Sequence, residues 1–224
     1  MKTIIEFTGP SGSGKTYYSK QIEKTFLQNN AIVLNSENFR AKNYKLFTLR
    51  YFIRTLVFSF YLKPNSFKDF KIVFKRLNNL ILKYHISGKY DLLITDVGLI
   101  QTIRLISKRV KLNSNDYLPS FLSKFIFSYK HITFQLIASE EIIIKNRTER
   151  YALRDQRYLN KRKYDLGSTN SKNIPEKRIQ DIKKIIRELR IVGLYYKHYI
   201  CNVADQNTLY KFIKKEMFID NFDN

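Results

Sequence analysis

The chain has 224 residues, 44% of them hydrophobic and 15% aromatic, enough for one domain with a core of its own. A single cysteine, Cys201, excludes an internal disulfide framework and fits a reducing compartment, and His85, His131 and His198 stand far apart without cysteine companions, which argues against zinc. The 41 Lys and Arg against 19 Asp and Glu leave a formal charge of +22, which reads in two ways. It marks a polyanionic partner (nucleic acid, a phosphorylated substrate or an anionic membrane face), or it is a compositional bias that also enriches Ile, Asn, Tyr and Phe.

In chain order, Ile4-Ile5-Glu6-Phe7 reads as a short buried strand. It begins almost at Met1, so no signal peptide is expected, and no stretch is long and apolar enough for a confident membrane span; the expected location is the cytoplasm. Next comes Gly9-Pro10-Ser11-Gly12-Ser13-Gly14-Lys15-Thr16, then a helix over 17–29 with Tyr18, Ile22 and Phe26 on one face. Strand, glycine-rich turn and helix are the setting that the pattern G-x-x-x-x-G-K-[ST] requires. The glycines let the backbone curl so that the amides of Gly9, Ser11, Gly12, Ser13 and Gly14 converge on an anion, and the helix start adds its positive dipole end. Lys15 reaches the β- and γ-phosphates and the Thr16 hydroxyl ligates Mg²⁺, so a nucleoside triphosphate, ATP, is the expected ligand.

Residues 31–34 read as a second strand, and 41–88 as a helical insertion of two or three helices, about 43–62, ended by Lys63-Pro64-Asn65, and about 66–87, ended by Gly88. Residues 90–95 form a third strand closed by Asp96, followed by a helix over 99–110. A loop with Asn113, Asn115, Asp116 and Pro119 leads into a helix through Tyr129, then a fourth strand over 131–138 and a helix over 140–154. Residues 155–175 are polar and read as mobile; Pro175 opens a long helix with Ile179, Ile182, Ile186 and Leu189 on one face. A fifth strand over 198–203 and a helix over 208–218 close the chain. Alternating strands and helices predict an α/β fold with a parallel sheet covered on both faces, its loops gathered on one ligand-binding edge.

Three clusters on that edge carry chemistry. Asp96, at the end of the apolar run Leu92-Leu93-Ile94-Thr95, is the expected Mg²⁺ partner of the glycine loop; the plainer reading is a helix cap. Glu37, in Asn35-Ser36-Glu37-Asn38-Phe39-Arg40, is the candidate that orients an acceptor hydroxyl and takes its proton, with Arg40 as anion clamp; the plainer reading has Ser36 capping a helix. Arg147, Arg150 and Arg154 share one helix face next to the segment predicted mobile, so 147–175 reads as a lid that closes over the transferring group, or as a solvated basic face.

These features together resemble the nucleoside/nucleotide kinase group of P-loop proteins, which includes thymidylate kinases and adenylylsulfate kinases. Residues 35–40 look like the adenylylsulfate kinase segment in which an acidic residue precedes Asn and an Arg follows. Thr95-Asp96-Val97-Gly98-Leu99-Ile100-Gln101 looks like the Asp-Glu-Gly-Leu-x-Gln signature of small thymidylate-kinase-like proteins of bacterial polysaccharide loci, with Val97 in place of the Glu. The thymidylate members carry Asp-Arg-Tyr there and Arg-Glu-Pro after strand two, and this chain has neither. The resemblance implies a P-loop NTPase domain over 1–224, a five-stranded sheet ordered 2-3-1-4-5, substrate contacts from Glu37, Arg40 and Gln101, and Asp205-Gln206-Asn207 bordering the base. The activity it implies is Mg²⁺-dependent transfer of the ATP γ-phosphate to a nucleotide, sugar or glycolipid headgroup.

The insertion helix is strongly aromatic with Lys45, Arg50 and Arg54 interspersed, so it either packs into an acceptor-side subdomain or lies on an anionic leaflet at the inner membrane face. Two further functions remain open: a nucleic-acid-acting P-loop protein such as a polynucleotide kinase, and an NTP-dependent regulatory switch. The charge favours the former, and the absence of a helix-turn-helix or zinc-finger pattern disfavours it.

Overall fold

A computed structural model describes residues 2–26, 31–34, 49–111, 118, 120–123, 129–152, 174–193 and 196–218. Five strands form one parallel sheet: β1 (Lys2–Thr8), β2 (Ala31–Val33), β3 (Leu92–Thr95), β4 (Tyr129–Ile137) and β5 (Tyr196–Asn202), in the order β2-β3-β1-β4-β5. The helices are α1 (Lys15–Phe26), α2 (Leu49–Tyr61), α3 (Phe67–Ser87), α4 (Leu99–Ser107), α5 (Glu140–Ala152), α6 (Ile174–Ile191) and α7 (Gln206–Phe218). The expected strand order and layering are therefore observed.

The central strand β1 alternates between two cores, because successive side chains leave a strand on opposite faces. Ile4 points into the cluster made with α3, α4 and α6, where Leu77, Leu80, Leu99, Ile103, Ile182 and Leu189 are buried. Ile5 and Phe7 point the other way, joining Tyr18 and Ile22 of α1, Ile132 and Phe134 of β4, and Leu209 and Ile213 of α7. At the β5 edge, Glu216 of α7 is 3% exposed and takes the Lys197 ammonium at 2.8 Å and the Tyr199 hydroxyl, which holds α7 to the sheet.

Several element ends differ from the sequence reading, each for a tertiary reason. Tyr129 begins β4 rather than ending a helix: it pairs with Lys2 of β1, and its hydroxyl donates to the Tyr84 carbonyl at 3.2 Å. β3 starts at Leu92, since the Tyr90 amide is used in a turn to Ser87. α4 stops at Ser107 because Val110 pairs with Pro64, while the Asn65 and Lys111 amides donate to Arg109 and Lys63. Those bonds fasten the α2–α3 turn to the end of α4, and Lys63 holds a left-handed φ of 50° within it. The predicted mobile segment, the loop over 112–117 and the start of the insertion lie largely outside the described residues.

Candidate functional site

Parallel pairing sets the geometry of the edge. Glu6 of β1 registers with Thr95 of β3, so Asp96 leaves the sheet beside the start of the glycine loop. The loop turns through three glycines with left-handed φ, of which Gly12 (90°) shows most clearly why glycine is needed. A Cβ there would stand 2.8 Å from the Ile143 carbonyl oxygen, so α5 packs directly on the loop backbone. Two side chains of α5 tie that contact: Asn146 donates to the Gly12 carbonyl at 2.7 Å, and Arg147 Nε donates to the Ser11 carbonyl at 3.0 Å. Ser13 Oγ donates to the Pro10 carbonyl at 2.9 Å, closing the turn from within.

Lys15 opens α1 and folds back over the loop, its ammonium 2.7 Å from the Pro10 carbonyl and 3.2 Å from that of Gly9. Beside it, the Thr16 hydroxyl donates to Asp96 Oδ2 at 2.8 Å. A hydroxyl and a carboxylate that meet at a helix N-terminus are hard oxygen donors of the kind Mg²⁺ takes, with the rest of its shell left to waters and phosphates. Among the described residues no three or more His, Cys, Asp or Glu gather into a group that could hold a metal ion.

Behind Asp96 lies a buried polar layer that the sequence reading did not assign. Lys83 of α3 is 4% exposed and donates to Thr95 Oγ1 at 3.0 Å and to the Val97 carbonyl at 3.1 Å. Thr95 in turn donates to the Leu34 carbonyl at the tip of β2. Burial pulls the Lys83 ammonium down to about 8, against the opposing pull of the Asp96 and Glu6 charges. Glu6 is 1% exposed, and its two carboxylate oxygens accept the Ile100 and Gln101 amides at 3.0 Å each. It caps α4 from a strand ninety-odd residues away, where Gly98 at the cap position offers no side chain. A Cβ on Gly98 would meet the Glu6 carboxyl at 2.6 Å. Burial pushes Glu6 up to about 7, partly offset by those amides and by Lys83. Both residues were detectable: Glu6 is a charge inside an apolar strand run, and Lys83 flanks the stripe Val73, Leu77, Leu80, Tyr84.

The loop residues Gly9 to Thr16, Asp96 and Arg147 thus lie together on one edge. Gln101 sits in the first turn of α4, its side-chain oxygen buried with no hydrogen-bond partner among the described residues. Arg150 is on α5, three residues beyond Arg147. Glu37, Arg40 and Arg154 lie outside the described residues.

The glycine loop between β1 and α1, with the strand order β2-β3-β1-β4-β5, makes this a P-loop NTPase fold. No protein-family profile and no sequence among the curated proteins matches the chain. Among solved structures it is similar to a deoxyadenosine kinase from M. mycoides with products dCMP and a flexible dCDP bound, at 13% identity, 96% of this chain, 98% of that chain and a TM-score of 0.47. It is similar to a chain of the PezAT chromosomal toxin-antitoxin system of Streptococcus pneumoniae, at 16% identity, 91% and 68% coverage and a TM-score of 0.42. A third likeness is to the M. mycoides deoxyadenosine kinase with bound dCTP, at 11% identity, 96% and 98% coverage and a TM-score of 0.39. The fold class stands on this chain's own strand order and loop.

Proposed function

We propose that this protein is a Mg²⁺-dependent kinase that transfers the ATP γ-phosphate to a hydroxyl or phosphate oxygen of a small acceptor. The observation that carries the reading is the contact of Thr16 with Asp96 at 2.8 Å, beside Lys15 and at the mouth of the glycine loop. In this reading the loop amides and the α1 N-terminus hold the triphosphate, and Lys15 leaves its carbonyl partners for the β- and γ-oxygens. Thr16 and Asp96 would hold Mg²⁺, which when bound neutralises charge on the β- and γ-phosphates. Arg147 spends one of its five N–H donors on Ser11, leaving the others for a phosphate oxygen. Arg150, Arg154 and Arg40 are the further basic residues assigned to the phosphates and the acceptor, and the buried Gln101 side-chain oxygen accepts a donor from the acceptor.

The acceptor oxygen attacks the γ-phosphorus as the bond to the β–γ bridging oxygen breaks, and the electron pair stays on the departing ADP. Glu37 takes the acceptor proton when the acceptor is a hydroxyl. The acceptor is a nucleotide, a sugar or a glycolipid headgroup. Incubation with labelled ATP and a pool of these three classes should label one of them, with Mg²⁺ required. Lys15→Ala should keep the fold and lower turnover by several orders of magnitude, since it removes a charge that stabilises the transferring phosphoryl group. Near-normal transfer by that variant would end the assignment.

A further inference from the structure

Helix α2 turns Thr55 and Ser59 inward beside Phe58, which packs on the core and stacks on Phe121 with ring centroids 3.8 Å apart. Thr55 and Ser59 are fully buried, and their hydroxyls donate to the carbonyls one turn back, Tyr51 and Thr55, at 2.7 Å each. The opposite side is apolar and open: Ile53 is 48% exposed, Val57 62% and Phe60 61%, at the spacing of one helix face. Phe52 and Phe67 extend this face, because Phe52 packs on Phe74 at 5.2 Å, while Phe60 and Phe67 both meet the Phe70 ring, at 4.2 and 6.2 Å. A surface helix ordinarily turns polar and charged residues outward, the reverse of this arrangement.

The surroundings of the patch are basic. Arg54, Lys63, Lys68, Lys71 and Lys75 are all exposed, and Lys71 lies 4.5 Å over the Phe67 ring. Between residues 38 and 90 the sequence holds one acidic residue, Asp69, and its carboxylate is bound by Arg109 at 2.6 Å and by Ser66. The hairpin is also held firmly, by the backbone bonds that join Lys63 and Asn65 to the end of α4.

We infer that the α2–α3 hairpin docks on an anionic lipid membrane surface, its exposed apolar face inserted at the headgroup–acyl boundary and its lysines and arginine among the headgroups. Charge selects this occupant. A second copy of the chain, also at +22, would be repelled, and a nucleic acid offers no apolar phase to Ile53 and Val57. Lys83, 16 residues beyond Phe67 on the same helix, lies about 24 Å along it, so docking leaves the glycine-loop edge clear of lipid. Because the patch and the loop edge are separate, its failure and the failure of the kinase reading are distinguishable.

The test is co-sedimentation of the full chain with extruded vesicles, of phosphatidylcholine alone or of phosphatidylcholine and phosphatidylglycerol at about 7:3, where the anionic fraction sets the surface potential. Binding to the anionic vesicles only, reversed by high salt, is expected. The double variant Ile53→Ser with Val57→Ser keeps the net charge and should lower partition about tenfold or more, with thermal unfolding unchanged. The chain contains no Trp, so Val57→Trp gives a single reporter whose emission should shift to the blue on anionic vesicles. Equal partition to both vesicles, none to either, an unchanged double variant or an unshifted reporter each overturns the proposal. So does a dimer, or oligonucleotide binding, that the double variant abolishes.

Discussion

Glu6 shows how one residue connects the sheet to the candidate site. Its carboxylate holds the start of α4 and lies behind the strand tip that carries Asp96. The sign of its pH dependence follows from where it ionises. Unfolded, the carboxyl loses its proton near 4.5; folded, burial delays this to about 7. Below the lower value both states hold the proton. Between the two the folded chain keeps a proton that the unfolded chain has shed, so stability falls as pH rises, and the cost is complete above the upper value. Thermal unfolding at about pH 5 and about pH 7.5 should therefore show a fall for the wild type that is absent in Glu6→Gln. An equal fall in both would assign the slope elsewhere. Lys83 acts in the opposite sense in a higher window: burial lowers it from 10.5 to about 8, so its contribution to stability recovers as pH rises between those values.

At the scale of elements, the contact of α5 with the glycine loop is made by backbone. Ile143 presses on Gly12, while Asn146 and Arg147 hold two loop carbonyls, so the helix fixes the shape of the glycine loop. Gly12→Ala meets two obstacles at once, a φ of 90° and a Cβ 2.8 Å from a carbonyl oxygen. Strain of this kind costs on the order of 1–3 kcal/mol, and α5 must also move away from the loop. Titration with a fluorescent ATP analogue should show affinity reduced about tenfold or more, in line with that strain. Unchanged affinity would mean that the loop binds nothing in the form seen here. The α2–α3 hairpin illustrates a different balance: α2 packs inward with Phe58 and with hydroxyls bonded to their own backbone, while Ile53, Val57 and Phe60 face outward.

Over the whole molecule, binding at one edge should stabilise both cores, because β1 carries the loop and belongs to each. A ligand at about 100 times its Kd adds about 2.7 kcal/mol, and for a chain of this size each kcal/mol is worth about 2–4 °C. ATP with Mg²⁺ should therefore raise the unfolding midpoint by about 5–10 °C, and EDTA should remove most of the gain. A shift of the same size with EDTA present would exclude Thr16 and Asp96 as metal ligands. No helix among the described residues is long and apolar enough to cross a membrane. The sequence alone determined the order of strands and helices, the glycine loop and the acidic strand end, because each is written in neighbouring residues and a short hydrophobic period. Only the tertiary structure decided the rest. Glu6 meets Ile100, Lys83 meets Thr95, and Asn146 meets Gly12 across separations that no local pattern encodes. The helix ends moved where Tyr129 and Val110 found strand partners. For α2, apolar on most sides, periodicity could not say which face turns inward; packing against α3 buried Thr55, Ser59 and Leu62 and left the aliphatic and aromatic face to solvent.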